Sequence, residues 1–327
     1  MGYDSQAIYI TSNQFSDYAN GATFEYAKIR IFNKSQLYNN QILTYNDFVN
    51  MSDSYGTVFT IKPAQHFGTT SSAYLLNTEV NGGSSITLWR IDNPISTPTL
   101  TEQATIDVAS YSYPVGAVQE GNSTAIDAGD CRAQDCVWRN GNLYEAFTTS
   151  HDWGSGNVDA IQYLEINTNS NNAIIDAVYG DASSYYIYPN IYVDNYGDMV
   201  MVFSRSSSSE YPSVRWTYRT PTDGSMRASQ ALQEGKGSYL QLDLSNRNRW
   251  GDYSGICLDP SSDNQVWFYG EWATNSNTWS TQFGSFRFAP VQFTNTVNGS
   301  GAGGNLEVNS DLTVSSGTSL GFEPNCR

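Results

Sequence analysis

The chain is organised by short runs in which apolar and polar residues alternate. A period of two, enriched in aromatic and β-branched residues, is typical of half-buried β-strands. Five such runs resemble one another, and each is followed, after a polar loop, by a second alternating run. The first runs are residues 7–13, 73–78, 143–148, 199–204 and 266–271. The second runs are residues 26–32, 86–91, 161–166, 214–218 and 282–288.

The spacing of these pairs indicates a repeat architecture. They recur about every 55–70 residues, the size of a four-stranded propeller blade with long loops. Residues 137–144 predict a hairpin around an Asn140-Gly141 turn, and residues 191–200 and 256–268 predict two more. No window of ten residues shows a helical stripe. We therefore expect an all-β fold, a β-propeller with about five four-stranded blades over residues 1–290, complete or part of a larger propeller. A β-sandwich or a solenoid is the alternative.

The repeat breaks after residue 290. Residues 291–305 are rich in Gly, Ser and Asn, a composition that predicts a flexible linker. Residues 306–327 begin with renewed alternation. This segment is expected to supply a closing strand or to start a further C-terminal module, and the sequence leaves both open.

Composition narrows the class of partner. The chain carries 16 Lys and Arg against 32 Asp and Glu, a net charge of −16, which argues against a nucleic-acid partner. Its 23 Tyr, 14 Phe and 8 Trp argue against disorder. No apolar run is long enough for a transmembrane segment, and the N-terminus lacks the features of a signal peptide. The abundance of Ser, Thr, Asn and Tyr suggests a secreted protein, so we expect Met1 to start a mature or trimmed chain.

The cysteines and histidines suggest structural chemistry. We expect a disulfide between Cys131 and Cys136, since secreted proteins favour such bonds, with two free thiols as the alternative. The pairing of Cys257 and Cys326 stays open. His66 and His151, placed in polar loops, are too few for a zinc site. No cofactor is expected, except that the turn at residues 194–198, rich in Asp and Asn, could hold a structural calcium ion.

A propeller gathers loops from every blade around one axial mouth, so polar loop residues are the candidates for ligand binding. Arg132, Arg205 and Arg249 are candidate cations. Three guanidinium groups around one pocket would hold the carboxylate of a sialic or uronic acid. Tyr188 and Tyr211 complete the expected substrate-binding residues.

Four further residues are candidates for catalysis. Tyr253 lies beside Asp252 in the chain, and a tyrosine next to a carboxylate can act as a nucleophile in sialidase-type hydrolysis. Asp130 and Glu271 are further acids, and paired carboxylates can cleave glycosides. An arginine and tyrosine site could also eliminate a uronate, with the tyrosine as proton donor or base.

For each of these residues taken singly, a structural role is the favoured interpretation. Arg249 and Asp252 could satisfy backbone groups at blade corners, which a repeat fold needs at every turn. Four tryptophans could pack between blades and need not bind sugars: Trp250, Trp267, Trp272 and Trp279.

The motif at residues 249–255, Arg-Trp-Gly-Asp-Tyr-Ser-Gly, resembles a family of secreted bacterial β-propeller proteins. Residues 129–132, 138–144, 211–213 and 258–260 fit the same family, as do Trp267, Glu271 and Trp279. The likeness covers roughly residues 1–290, whereas family members usually have additional blades at the N-terminus. Most members lack assigned chemistry, so the resemblance implies fold and compartment more than activity. More loosely, the chain is similar to sialidase-type propellers, although residues 194–198 only partly echo their Asp-box motif.

Two functions follow from these observations. The absence of a recognisable catalytic motif favours an extracellular module that binds a glycan or a cell-surface partner. The alternative is a secreted polysaccharide-active enzyme, a glycoside hydrolase or a uronate lyase, with an Arg/Tyr/Asp pocket at the propeller mouth. A function drawn from fold alone is an analogy.

Overall fold

The computed structural model describes residues 1–17 and 21–288, which form successive antiparallel meanders. The first contains β1 (Gly2–Tyr3), β2 (Ala7–Phe15), β3 (Phe24–Asn33), helix α1 (Lys34–Tyr38) and β4 (Tyr45–Phe48). A small hairpin of β5 (Ser52–Asp53) and β6 (Gly56–Thr57) leads to the second, β7 (Lys62–Phe67), β8 (Ser72–Thr78), β9 (Gly82–Asp92) and β10 (Thr99–Ser112).

Three more meanders follow along the chain. A hairpin of β11 (Ala117–Gln119) and β12 (Asn122–Ile126) precedes the third meander. The third meander contains β13 (Asp135–Arg139), β14 (Asn142–Asp152), β15 (Asn157–Asn167) and β16 (Asn172–Tyr179). The fourth contains β17 (Ser184–Val193), β18 (Met199–Ser207), β19 (Glu210–Arg219) and β20 (Gln230–Gln233). The fifth contains β21 (Gly255–Asp259), β22 (Ser262–Asn275) and β23 (Thr278–Arg287).

The first strands of neighbouring meanders lie side by side. Strand β1 pairs in parallel with β7, and β7 pairs in parallel with β13. A single pair, Ser112 and Ser150, joins β10 to β14, so the strands β7, β8, β9, β10, β14 and β13 close into a ring. We call these first strands, with β17 and β21, the inner strands. The entries to β1, β7, β13 and β21 lie together, since Met1, Lys62, Arg132 and Tyr253 line one pocket, and this end carries the candidate site.

The hydrophobic core lies between neighbouring meanders. Ile29 of the first meander packs with Leu75 and Trp89 of the second, and Leu76 of the second belongs to one cluster with Phe147 of the third. A third cluster joins the last three meanders. Alternation along each strand makes this possible, because one face turns to the preceding meander and the other to the next.

The strand pattern of the sequence is confirmed. All ten alternating runs lie on strands, the last of them except for its final residue, Phe288, and in every meander they form the second and third strands, paired antiparallel. The turn at Asn140 and Gly141 has φ values of 52° and 86°, as a tight hairpin turn requires. The described part of the chain contains no helix that is long and apolar enough to cross a membrane. The predicted linker and C-terminal segment, with Cys326, lie outside the described residues.

The predicted disulfide between Cys131 and Cys136 is wrong, since both cysteines are free and buried. The thiol of Cys131 donates to the Ser112 carbonyl oxygen, at 3.2 Å, and that of Cys136 to the Glu145 carboxyl group. Each sulfur therefore has its own partner.

Two further placements correct the sequence interpretation. His66 lies on β7 and His151 on β14 rather than in polar loops. Burial lowers the pKa of His66 to about 4, and its Nε2 accepts a hydrogen bond from the Tyr74 amide, so the ring is neutral. Of the tryptophans expected to pack, Trp250 is buried, whereas Trp267 and Trp279 are exposed.

Candidate functional site

A cleft opens where segments 127–134 and 247–253 meet, at the entrances to inner strands β13 and β21. Strand β17 contributes Tyr188, whose φ of 53° falls where the pairing with β18 shifts register. The cleft has an empty volume of about 520 Å³. Its lining residues are Tyr113, Asp127, Gly129, Asp130, Arg132, Gln134, Tyr188, Arg247, Arg249, Asp252 and Tyr253.

Backbone pairing holds the two segments together. The Asp127 amide donates to the carbonyl oxygen of Asn248 at 2.9 Å, next to a parallel bridge between Ile126 and Asn248. The Asn248 side chain is buried and bonds to the backbone of Tyr239 and Gln241. The charged side chains of the cleft therefore project from a fixed backbone.

Arg132 and Asp130 form a closed pair. Nε and Nη2 of Arg132 donate to the two carboxylate oxygens of Asp130 at 2.7 and 2.6 Å, and the Arg132 amide donates to Oδ1 at 3.0 Å. These hydrogen bonds hold the pKa of Arg132 above its ordinary value. Both oxygens of this carboxylate therefore accept hydrogen bonds from its own arginine.

The other two arginines of the cleft form a network with three aspartates. Nη2 of Arg249 donates to both oxygens of Asp252, at 2.7 and 2.8 Å. Arg247 lies 2.8 Å from Asp243 and 3.5 Å from Asp127, and Arg249 lies 3.7 Å from the same Asp127 carboxylate. Each guanidinium faces at least one aspartate, so an acidic sugar would meet the negative charge of these carboxylates, although Arg249 Nε donates no hydrogen bond to any described residue. This arrangement weighs against the expected carboxylate-binding role.

The motif at residues 249–255 acts as a strap that positions the cleft. Trp250 is buried beneath it, and its Nε1 donates to Ser204 Oγ at 3.0 Å. A Cβ on Gly251 would meet the Glu271 carboxylate, so the backbone of the strap lies directly against that side chain. Tyr253, 55% exposed, stands at the rim of the cleft, with Lys62 Nζ 5.7 Å from its ring centroid. The motif therefore combines packing residues with exposed ones.

Glu271 lies on β22, behind Gly251, and does not line the cleft. Burial raises the pKa of its carboxyl group to about 7, opposed by a hydrogen bond from the Gly251 amide and reinforced by the charge of Asp252. At neutral pH the carboxyl group of Glu271 is therefore partly protonated. Its neighbour Asp252 is a carboxylate that accepts two hydrogen bonds from Arg249.

Gln134 is the most informative polar group in the cleft. It is 4% exposed, and its amide N–H donates to Glu145 Oε1 at 2.9 Å. Its own side-chain oxygen, Oε1, accepts no hydrogen bond from the described residues. A buried acceptor without a donor is unfavourable, so a ligand hydroxyl at this position would satisfy it.

Two predicted site residues lie elsewhere. Arg205 and Tyr211 line a separate recess on the fourth meander. There, Arg205 and Arg215 both donate to Glu210, each at 2.7 Å. The expectation that Arg205 joins Arg132 and Arg249 around one pocket is therefore wrong, and Arg247 takes the third position.

Sequence reasoning missed Asp127, Arg247 and Gln134. The alternation of Arg247 and Arg249 around Asn248 was an available signal, since residues two apart in an extended segment share a side. Nothing local marks Gln134, because its importance depends on burial and on an absent donor.

Metal binding finds no support in the described ranges. No group of three or more His, Cys, Asp or Glu residues within residues 1–17 and 21–288 is placed to hold a metal ion. At the turn expected to bind calcium, Asp194 Oδ1 accepts hydrogen bonds from the amides of Tyr196 and Asp198, at 2.8 and 2.9 Å. This carboxylate thus stabilises its own turn.

Comparison with known proteins leaves the family open. No model of a protein family matches the chain, and no curated protein matches it. Among solved structures, the chain is similar to a thermostable family-43 glycoside hydrolase, with a TM-score of 0.31 and 12% identity, over 70% of this chain and 91% of that chain. A likeness this slight carries no argument about this chain. The resemblance to secreted propeller proteins therefore rests on the sequence motifs alone.

Proposed function

We propose that the chain is an extracellular glycan-binding module and that the cleft binds neutral sugar units, free or on a cell-surface partner. The unsatisfied Oε1 of Gln134 carries this proposal, because a sugar hydroxyl is the kind of donor that the position requires. We also propose that each meander is one blade of a five-bladed propeller. The loops that enter the inner strands would then form its binding face.

The charges of the cleft favour a neutral ligand. Its lining carries Arg132, Arg247 and Arg249 against Asp127, Asp130 and Asp252, so its formal charge is 3 − 3 = 0. The chain as a whole carries a net charge of −16, which disfavours a negatively charged ligand. Fixed carboxylate and guanidinium groups suit hydroxyl groups, and the exposed ring of Tyr253 offers a surface for the apolar face of a sugar.

Replacing Tyr253 by Ala is expected to weaken glycan binding about tenfold or more, roughly 1.4 kcal/mol, through loss of ring contact. Titration calorimetry against the best neutral glycan from a panel measures the change. Tyr196→Ala is the matched control, since this tyrosine is 51% exposed and does not line the cleft. Equal affinities for wild type and both variants would contradict the assignment of the cleft.

The second candidate is glycoside hydrolysis, favoured by two carboxylates that line the cleft, Asp130 and Asp252, each hydrogen-bonded by an arginine. Under this candidate, Asp252→Asn is expected to lower the release of reducing ends at least a hundredfold and to change glycan affinity far less. An assay of reducing ends on wild type and variant measures this. Absence of turnover by the wild type on every glycan that binds would exclude it.

A further inference from the structure

A second recess opens on the face of the fifth meander that does not pack on the fourth. Its empty volume is about 640 Å³. Aromatic rings of β22 and β23 form one wall, and polar groups of β13, β17 and the start of β21 form the floor. None of its lining residues lines the cleft.

The wall consists of Trp267, Tyr269 and Phe283. Alternation along β22 turns Val266 and Phe268 into the core and leaves Trp267 and Tyr269 outside. Tyr269 pairs with Phe283 across the strands, and the Trp267 and Phe283 ring centroids are 6.5 Å apart. Trp267 is 37% exposed and Phe283 is 71% exposed. Neighbouring exposed aromatic rings of this kind are typical of binding surfaces.

The rings are held in place by the strands beneath them. Trp267 Nε1 donates to Asp259 Oδ2 at 2.7 Å, which fixes the indole. The Tyr269 ring lies against Gly255, where a Cβ would clash with it. A ligand would therefore meet two rings, those of Trp267 and Tyr269, whose orientation is set before binding.

The floor has an unsatisfied acceptor. Asn190 is 5% exposed, and its Nδ2 donates to the Ser254 carbonyl oxygen at 3.0 Å. Its Oδ1 accepts no hydrogen bond from any described residue. Asp135 lies beside it, with Oδ2 accepting from Gln65 at 3.1 Å, so the floor presents acceptors and one carboxylate. These groups favour a ligand that donates hydrogen bonds and carries no negative charge.

We propose that this recess is a second saccharide-binding site. A neutral pyranose stacks its apolar C–H face on Trp267 and Tyr269 and donates a hydroxyl hydrogen bond to Asn190 Oδ1. The recess adjoins the cleft through consecutive residues, because Tyr253 lines the cleft and Ser254 lines the recess. The proposal shares its ligand class with the proposed function, but its residues are different.

Binding stoichiometry separates the two sites. Calorimetry or ligand-observed NMR with cellotriose, mannotriose and xylotriose is expected to show two sites per chain for at least one probe. Trp267→Ala is expected to weaken one site at least tenfold and to leave the other unchanged, whereas Tyr253→Ala does the reverse. Trp267→Phe, which keeps a ring, retains most of the affinity. Trp279 is 58% exposed and lies outside both sites. The control variant Trp279→Ala is therefore expected to change the affinity of neither site.

The outcomes distinguish the proposals. One site per chain, lost in Tyr253→Ala and unchanged in Trp267→Ala, would overturn the recess and leave the proposed function standing. One site that depends on Trp267 alone would support the recess and contradict the assignment of the cleft. No binding of any probe to the wild-type protein would overturn both.

Discussion

Replacing Trp250 by Ala is expected to lower the free energy of unfolding by about 3–5 kcal/mol. The indole is buried in a cluster with Ala117, Ile187 and Tyr188. Its ring meets that of Tyr239 edge to face at 4.8 Å. Truncation leaves a cavity beneath the strap at residues 249–255, because the surrounding strands cannot collapse into it. Chemical denaturation followed by circular dichroism measures the loss.

Trp279→Ala provides the control for this substitution. Trp279 is exposed, so its truncation is expected to change the free energy of unfolding by less than about 0.5 kcal/mol. Similar losses for Trp250→Ala and Trp279→Ala would show that the strap does not anchor the fold as described.

The free energy of unfolding is also expected to fall as the pH rises from about 5 to about 8. Burial raises the pKa of Glu145 from 4.5 to about 8, and those of Asp159 and Glu271 to about 7. A carboxyl group whose pKa is higher in the folded state stabilises the fold fully below its unfolded pKa. That stabilisation is lost as the pH rises through the folded pKa.

His66 acts in the opposite direction over part of this range. Burial lowers its pKa from 6.5 to about 4, so its contribution is present above pH 6.5 and is lost as the pH falls through 4. Three carboxyl groups outweigh one imidazole between pH 5 and 8. The expected net effect is therefore a decline in stability with rising pH.

The variant Glu145→Gln isolates the largest part of this effect. A neutral amide cannot ionise, so the variant is expected to lose less stability than wild type between pH 6 and 9, by about 2–3 kcal/mol. Glu234→Gln is the control, because the side chain of Glu234 is 73% exposed. Denaturation curves at each pH measure the difference. A wild-type stability that rises across this range would contradict the protonated state of these groups.

The strands could be predicted from the sequence because their signals are local. Alternation placed all ten runs correctly, and Asn140-Gly141 marked its turn, since one backbone conformation at two residues defines such a hairpin. The free thiols of Cys131 and Cys136 could not be predicted, because the partner of each sulfur comes from another strand.

The candidate site was predictable only in part for the same reason. Asp130, Arg132, Arg249, Asp252 and Tyr253 lie in two segments that a propeller would bring to one end, and the structure places them in one cleft. Arg205 could not be separated from them by sequence, since its position depends on which side of β18 it occupies. The pairing of each arginine with an aspartate likewise depends on side-chain geometry.

The most direct test of the central claim is a glycan array that includes neutral, sialylated and uronate-containing glycans, probed with the wild-type chain. The paired arginines and the unsatisfied Gln134 Oε1 predict binding to neutral glycans, with no preference for the acidic ones. Binding confined to sialylated or uronate-containing glycans, or binding to no glycan, would contradict the account.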